Sequence, residues 1–264
     1  MDTIEGVTME GVVLNVGTVN LPAMLYSSSE GAFPKPAIVV GPGGIQNGII
    51  KSIEWLAIRL AKAGFVVLTI TWRSGSPIDD PKDIAAAITW LENQPEVRSE
   101  CIGIFGMSRG GMSALRAAAD EDRLRAVVTF GSPTDLLQHV RAVISYAPGR
   151  YAVLVKWLGG EPDTNRPFYE EVQPISHAAR IRQPVLSIHG AFDMHVPPEQ
   201  SIWMIQELKR FGNRNAAVEI VPGMNHYTDM VPDYVFGFDR VASPAVAFFK
   251  MHLGEESGNE AHDA

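Results

Sequence analysis

The chain carries a single cysteine in 264 residues, Cys101, which excludes an internal disulfide and any cysteine-built metal site. It also lacks positive charge: the formal net charge is −8, and four carboxylates (Glu255, Glu256, Glu260, Asp263) lie beyond Lys250, the last Lys or Arg. Such a surface repels phosphate backbones and anionic lipid, so neither nucleic acid nor membrane is an expected partner. No apolar run approaches the length of a membrane span. Met1 to Gly6 has neither a basic stretch nor an apolar core, and the expected location is cytoplasmic. There is no internal repeat and no phosphate loop, because Gly41 to Gly44 lacks the spacing and the lysine of one. What is present is an ordinary apolar content, 46% of residues, enough to bury one full core. A single domain over residues 1–253 is expected, followed by a disordered acidic tail over 254–264. Cys101 reads as a small buried hydrophobe at the start of a strand.

Residues from about Thr8 to Tyr26 alternate apolar and polar around Gly17 and Asn20, as an antiparallel hairpin would. Six continuous apolar runs then follow, at 36–40, 65–70, 101–105, 126–130, 184–188 and 218–221, each reading as a strand buried on both faces. Helical patterns separate them. Residues 49–63 place Ile53, Leu56 and Leu60 on one face, and 81–93 open with a proline in the first turn and carry Ile84, Ile88 and Leu91 inward. Alternation of strand and helix predicts an α/β fold: a mostly parallel, eight-stranded sheet with helices on both faces. One stretch breaks the rhythm. From about 134 to 182 there is no buried strand, and the segment holds Tyr146, Tyr151, Trp157, Phe168 and Tyr169. It reads either as a lid or pocket wall, or as a helical insertion whose aromatics form a small core of their own.

Ser108 sits between two glycines in Gly106-Met107-Ser108-Arg109-Gly110, where an apolar strand pattern turns directly into a helix pattern. A strained strand-to-helix turn of this kind lifts a hydroxyl clear of the sheet, and a side chain at Gly106 or Gly110 would collide with the neighbouring strand or helix. A serine hydroxyl needs a histidine to take its proton and an acid to orient that histidine. Asp193, after the run at 184–188, and His226, after the run at 218–221, fit those roles at the same sheet edge, in the chain order Ser, Asp, His. His195 shares a loop with Asp193 and is poorly placed to bridge acid and serine. His189 reads as a satisfied histidine at a buried strand end, Asp135 as a helix N-cap, and the Arg109 side chain as half of a structural ion pair.

With these residues in view the chain resembles the α/β-hydrolases, and more narrowly the dienelactone-hydrolase-like and prolyl-oligopeptidase-like catalytic domains. Beyond the turn at Ser108, the stretches Trp157-Leu158-Gly159-Gly160-Glu161-Pro162, Pro174-Ile175-Ser176, His189-Gly190-Ala191-Phe192-Asp193 and Gly223-Met224-Asn225-His226 are similar to that branch in order and spacing. The resemblance implies an α/β-hydrolase fold with Ser108 as nucleophile, Asp193 as orienting acid and His226 as base. It departs from the dienelactone hydrolases in having serine where they usually carry cysteine, and from the oligopeptidases in having no room for a propeller domain. Oxyanion donors are expected at the backbone amides of Arg109 and of Gly44, with Ile45 as the alternative. In the related families that loop usually begins His-Gly, and here Pro42 stands in the histidine's place. Trp72, at a strand end, and Tyr151 and Trp157, in the insertion, are the candidate substrate-binding residues.

The implied activity is hydrolysis of a carboxylic ester or related acyl compound through an acyl-enzyme, with no cofactor and a small acyl molecule as substrate. A peptidase or amidase, a biosynthetic thioesterase or acyltransferase, and a non-catalytic binding member of the fold remain alternatives. A homodimer is compatible with the sequence.

Overall fold

The computed structural model describes residues 2–73, 75–227 and 234–254. Its strands are β1 (Asp2–Ile4), β2 (Val7–Val16), β3 (Val19–Ser28), β4 (Lys35–Gly41), β5 (Val66–Ile70), β6 (Val97–Met107), β7 (Leu124–Phe130), β8 (Val185–Gly190) and β9 (Ala216–Val221). The helices are α1 (Glu54–Lys62), α2 (Asp80–Glu92), α3 (Arg109–Ala118), α4 (Leu136–Tyr146), α5 (Pro148–Trp157), α6 (Arg166–Val172), α7 (Glu199–Arg210) and α8 (Tyr234–Leu253). All nine strands join one sheet in the order β1-β2-β3-β5-β4-β6-β7-β8-β9. From β5 to β9 every pairing is parallel, and β1, β2 and β3 add an antiparallel flank.

The expected count of eight strands is corrected to nine. The extra strand is β1, only three residues long, folded back onto β2 by a turn in which Glu5 and Gly6 both have positive φ (52° and 82°). Three residues are too few to show an alternating pattern, so the strand is defined only by its pairing. Cys101 is also corrected: it lies within β6 and is only partly buried. The tail expected over 254–264 lies outside the described residues from 255 onward. No helix among the described residues is long and apolar enough to cross a membrane.

Side chains of the central strands sort to the two faces with a period of two, as the pleat requires. Ala37, Val39, Val66, Leu68, Ile102, Ile104 and Val127 face one cluster, shared with Ile84, Ile88 and Leu91 of α2, Leu115 of α3 and Leu208 of α7. Ile38, Val40, Val67, Phe105, Val128 and Ile188 face the other, shared with Leu56 and Leu60 of α1 and Val241 and Phe249 of α8. This explains the unbroken apolar runs: both faces are covered, so no position of the strand can be polar at low cost.

Between β7 and β8 stand α4, α5, α6 and a 3-10 turn over Pro174–Arg180. They enclose a third cluster of Leu136, Leu137, Val140, Val143, Leu154, Leu158, Tyr169 and Val172, tied to the main body through Met112 of α3. The core and pocket-wall readings of this segment are not exclusive, because α4 and α5, which contribute to that core, also line the cavity described next.

Candidate active site

The loops that follow β4, β6, β8 and β9 meet at the C-terminal edge of the parallel sheet, where open α/β sheets form their ligand crevice. Ser108 joins β6 to α3 with φ 53° and ψ −116°, a strained conformation for a residue with a side chain. It is anchored by its own amide, which donates to Phe130 O at 2.8 Å. The flanking glycines have no room for anything larger. A Cβ on Gly106 would lie 2.2 Å from the backbone of Gly110, and one on Gly110 would lie 2.1 Å from Gly41 O. Strand β4, strand β6 and helix α3 therefore close on each other backbone to backbone, which sets the angle at which Ser108 leaves the sheet.

His226 Nε2 lies 3.2 Å from Ser108 Oγ, and His226 Nδ1 lies 2.6 Å from Asp193 Oδ2. The short contact identifies Nδ1 as the protonated nitrogen, donating to the carboxylate, and leaves Nε2 to accept from the hydroxyl. The Asp193 side chain is fully buried. Its Oδ1 accepts from the amides of His195 and Val196, both at 2.8 Å. Burial alone would raise its pKa, but hydrogen bonds from His189 and His226, attraction to His226 and the Val196 amide outweigh that and hold the carboxyl well below the usual carboxylate range. His189 Nε2 lies 2.8 Å from Val196 O and 3.3 Å from Asp193 Oδ2, so one N–H is shared between two acceptors, while Nδ1 accepts from Ser201 Oγ at 2.7 Å. His189 is thus a satisfied buried histidine, as expected.

The remaining expectations divide. Asp135 caps α4, its Oδ1 accepting from Gln138 N at 2.9 Å. The Arg109 side chain is 2% exposed and forms a two-pronged ion pair with Asp80 at 2.7 and 2.8 Å, with further bonds to the carbonyls of Gln46, Gly75 and Ser76. Trp157 reaches the cavity wall, its indole N–H donating to Gly75 O. Trp72 and Tyr151 are not among the residues lining the cavity. Trp72 is fully buried, and its indole N–H donates to Pro42 O at 3.1 Å, so it props the Gly41–Gly48 loop from behind and does not face a ligand. Tyr151 turns its hydroxyl away to Glu161.

That loop passes directly over Ser108: a Cβ on Gly43 would lie 3.1 Å from Ser108 Cβ, and Gly44, with φ 97°, lines the cavity beside it. With proline at position 42, bracing falls to other residues. Trp72 holds Pro42 O, Trp72 N donates to Asn47 O at 2.6 Å, Asn47 Nδ2 donates to Trp72 O at 3.0 Å, and Arg109 holds Gln46 O at 2.6 Å.

A cavity of about 1260 Å³ opens over Ser108 and His226, roomy enough for a drug-sized molecule. Its walls are largely apolar, with Ile45, Ile49, Trp55, Ile58, Leu136, Val153, Leu154 and Trp157, and its polar groups include Asn47, Lys51, Glu54, Arg109, His139, Arg150, His195 and Tyr227. The His195 ring stacks on that of His226 with centroids 5.3 Å apart, and Tyr227 meets both edge-on. His139 and Arg150 were not singled out in the sequence, where they look like ordinary members of α4 and α5. Only the packing of those helices turns them toward the cavity.

The family model described as "Prolyl oligopeptidase family" matches residues 77–256. The chain belongs to the prolyl oligopeptidase family. Its α/β-hydrolase fold is that of the family's catalytic domain, and its relatives include esterases and peptidases. It is 27% identical over 179 residues to the uncharacterised peptidase YtmA of Bacillus subtilis, covering 62% of this chain and 67% of that one. It is 26% identical over 227 residues to esterase LipC of Mycobacterium tuberculosis, covering 75% and 54%. Among solved structures, the Pyrococcus horikoshii acylaminoacyl peptidase superposes with a TM-score of 0.80 at 18% identity, over 97% of this chain and 43% of that one. The chain thus spans about half of the esterase and less than half of the acylaminoacyl peptidase.

Proposed function

We propose that this protein is a serine hydrolase that cleaves carboxylic esters through an acyl-enzyme, with Ser108, His226 and Asp193 as its catalytic residues. One observation carries the reading: three side chains from three separate strand-end loops form a continuous hydrogen-bonded relay whose outer end, Ser108 Oγ, opens on the cavity. His226 Nε2 takes the hydroxyl proton as Oγ attacks the ester carbonyl, and Asp193 stabilises the resulting imidazolium through Nδ1–H. The tetrahedral oxyanion is held by the amides of Gly44 and Arg109. It collapses, the C–O bond to the alcohol breaks, and His226 returns the proton to the departing oxygen. Water then enters, gives a proton to His226 and a hydroxide to the acyl carbon, the bond from that carbon to Ser108 Oγ breaks, and His226 returns the proton to Oγ as the free acid leaves. Every step uses groups of this chain, so no cofactor is required. The oxyanion assignment rests on the closeness of Gly43 and Gly44 to Ser108, because the family match begins only at residue 77.

Peptide or amide hydrolysis is the second reading, supported by the family and by the peptidases among the relatives. The same residues would serve it, and only the leaving group differs. The test is turnover of a panel of p-nitrophenyl esters and aminoacyl p-nitroanilides, alongside labelling with a fluorophosphonate probe. Wild-type protein should be labelled at Ser108 and turn over esters in preference to anilides, and Ser108→Ala should lose labelling and at least about 10³-fold in kcat. Ester turnover undiminished in Ser108→Ala would refute the assignment.

A further inference from the structure

Four charged side chains among the described residues line the cavity, and they are not equivalent. Lys51 pairs with Glu54, and Arg109 is saturated by Asp80 and three carbonyls. Arg150, in the first turn of α5, has no ion-pair partner among the described residues, and its Nε is buried without a hydrogen-bond partner. On the adjoining helix α4, His139 is 2% exposed and its Nδ1 is likewise buried without a partner. Both residues line the cavity that contains Ser108. Arg150 is half-buried, and a buried guanidinium nitrogen or imidazole nitrogen left without a partner carries a desolvation cost that a ligand can relieve. The adjoining stretch of wall is apolar, with Leu136, Val153 and Leu154, so the pair forms a polar spot within it.

The electrostatics agree with the geometry. Burial, followed by the charge on Arg150, pushes His139 down to about 4 and also lowers His195. Arg150 is therefore within electrostatic reach of the imidazole that stacks on His226, next to the reacting centre. At neutral pH His139 is uncharged, able to donate or accept one hydrogen bond at each nitrogen without competing for an anion's charge. Burial works against the Arg150 charge as well, while the charge of the Asp193 carboxylate favours it. A guanidinium keeps its proton under such pressure.

We propose that Arg150, assisted by His139, binds a carboxylate carried by the substrate, so that the preferred substrates are esters bearing a free carboxylate, such as half-esters of dicarboxylic acids. The inference rests on the ester-hydrolase reading above and specifies its substrate class. A single planar guanidinium with a neutral imidazole beside it suits a singly charged carboxylate, which the guanidinium can grip with two parallel N–H groups. The rest of the wall would hold the apolar chain between the two ends of the substrate.

The test compares kcat/KM for matched acid and neutral esters on the full chain. One arm places the carboxylate on the acyl side, mono-p-nitrophenyl glutarate against its methyl ester. The other places it on the leaving group, 4-acetoxybenzoate against its methyl ester. Wild-type protein is expected to prefer the acid about tenfold or more in one arm, with the difference in KM. In Arg150→Gln that ratio should fall to about one, and Arg150→Lys should restore part of it because the charge returns without the planar fork. Free glutarate should inhibit the wild type competitively and the neutral glutaramide more weakly, a readout that needs no variant. Equal or better turnover of the neutral esters in both arms, or an acid preference that survives in a folded Arg150→Gln, would overturn the proposal. Ser108-dependent turnover of neutral esters without any acid preference would defeat this inference alone. Absence of all ester turnover and of fluorophosphonate labelling would defeat the hydrolase reading with it.

Discussion

The strand-end loops and the helical segment between β7 and β8 both border the cavity, but they treat polar groups differently. Around Ser108 at the strand ends the buried groups are met: Asp193 receives four donors, His189 uses both ring nitrogens, and Arg109 spreads its guanidinium over Asp80 and three carbonyls. On the helices, His139 Nδ1 and Arg150 Nε have no partner. The first region has one arrangement enforced by backbone contact and hydrogen bonds, as chemistry that depends on fractions of an ångström requires. The second has a small core of its own, attached to the sheet body through Met112, and its polar atoms are left for a ligand to satisfy. Under the two proposals above, reaction and recognition fall to different structural layers.

Three perturbations would break or sharpen that contrast. The largest effect is expected at the strand ends. Asp193→Asn keeps the shape of the side chain but removes the charge that selects the Nδ1–H tautomer of His226, and kcat should fall by about 10⁴-fold while KM changes little. A loss below tenfold, measured on a p-nitrophenyl ester, would mean that the relay does not run through Asp193.

A smaller and different effect is expected from the helices. Leu158 is fully buried in the third cluster and does not line the cavity. Leu158→Ala should cost about 2–5 kcal/mol of local packing and raise KM much more than it lowers kcat, because the wall loosens while the relay stays in place. Hydrogen exchange of α4 to α6 against that of β6 and β8 would measure it. Equal loosening of both regions would show that they are one cooperative unit.

The smallest effect concerns pH. His139, pushed down to about 4 by burial and then by Arg150, stays neutral in the folded protein while the unfolded chain takes up a proton near the ordinary imidazole value, about 6.5. Between those values the unfolded state binds more protons, so stability rises with pH through this window and is lost as pH falls from about 6.5 to 4. Asp193 acts lower. Its depressed carboxyl contributes stability above the ordinary carboxylate range, lost only as pH falls below about 4 toward its folded value. His139→Gln should therefore flatten the decline in Tm between pH 6.5 and 4 and leave the steeper fall below 4 intact. Arg150, Asp193 and His226 face His139 and are unchanged in the variant. An unaltered Tm profile would place the acid sensitivity elsewhere.

How legible each region was follows from the same contrast. Ser108, Asp193 and His226 could be found because each follows an apolar run and sits among turn residues whose chemistry is local: glycines where backbones touch, a proline or asparagine where the chain reverses. The parallel sheet was readable for a related reason, since strands covered on both faces must be apolar throughout. Strand β1 escaped because three residues have no period. Trp72 was misread because a large aromatic at a strand end can prop a loop or face a ligand, and its direction depends on where Gly48 and Pro42 pass over it. Tyr151 was misread because its partner, Glu161, lies beyond the end of its own helix.

From the order of its residues alone, this chain declares a mostly parallel α/β sheet and the three strand-end side chains of its relay, because turn chemistry and strand burial are imposed over a few neighbouring positions. The side of α4 and α5 that faces the cavity, and with it the presence of His139 and Arg150 in the same cavity as Ser108, is set by how separate helices pack. Contacts between residues far apart in the chain leave no period or spacing by which they could be recognised in advance.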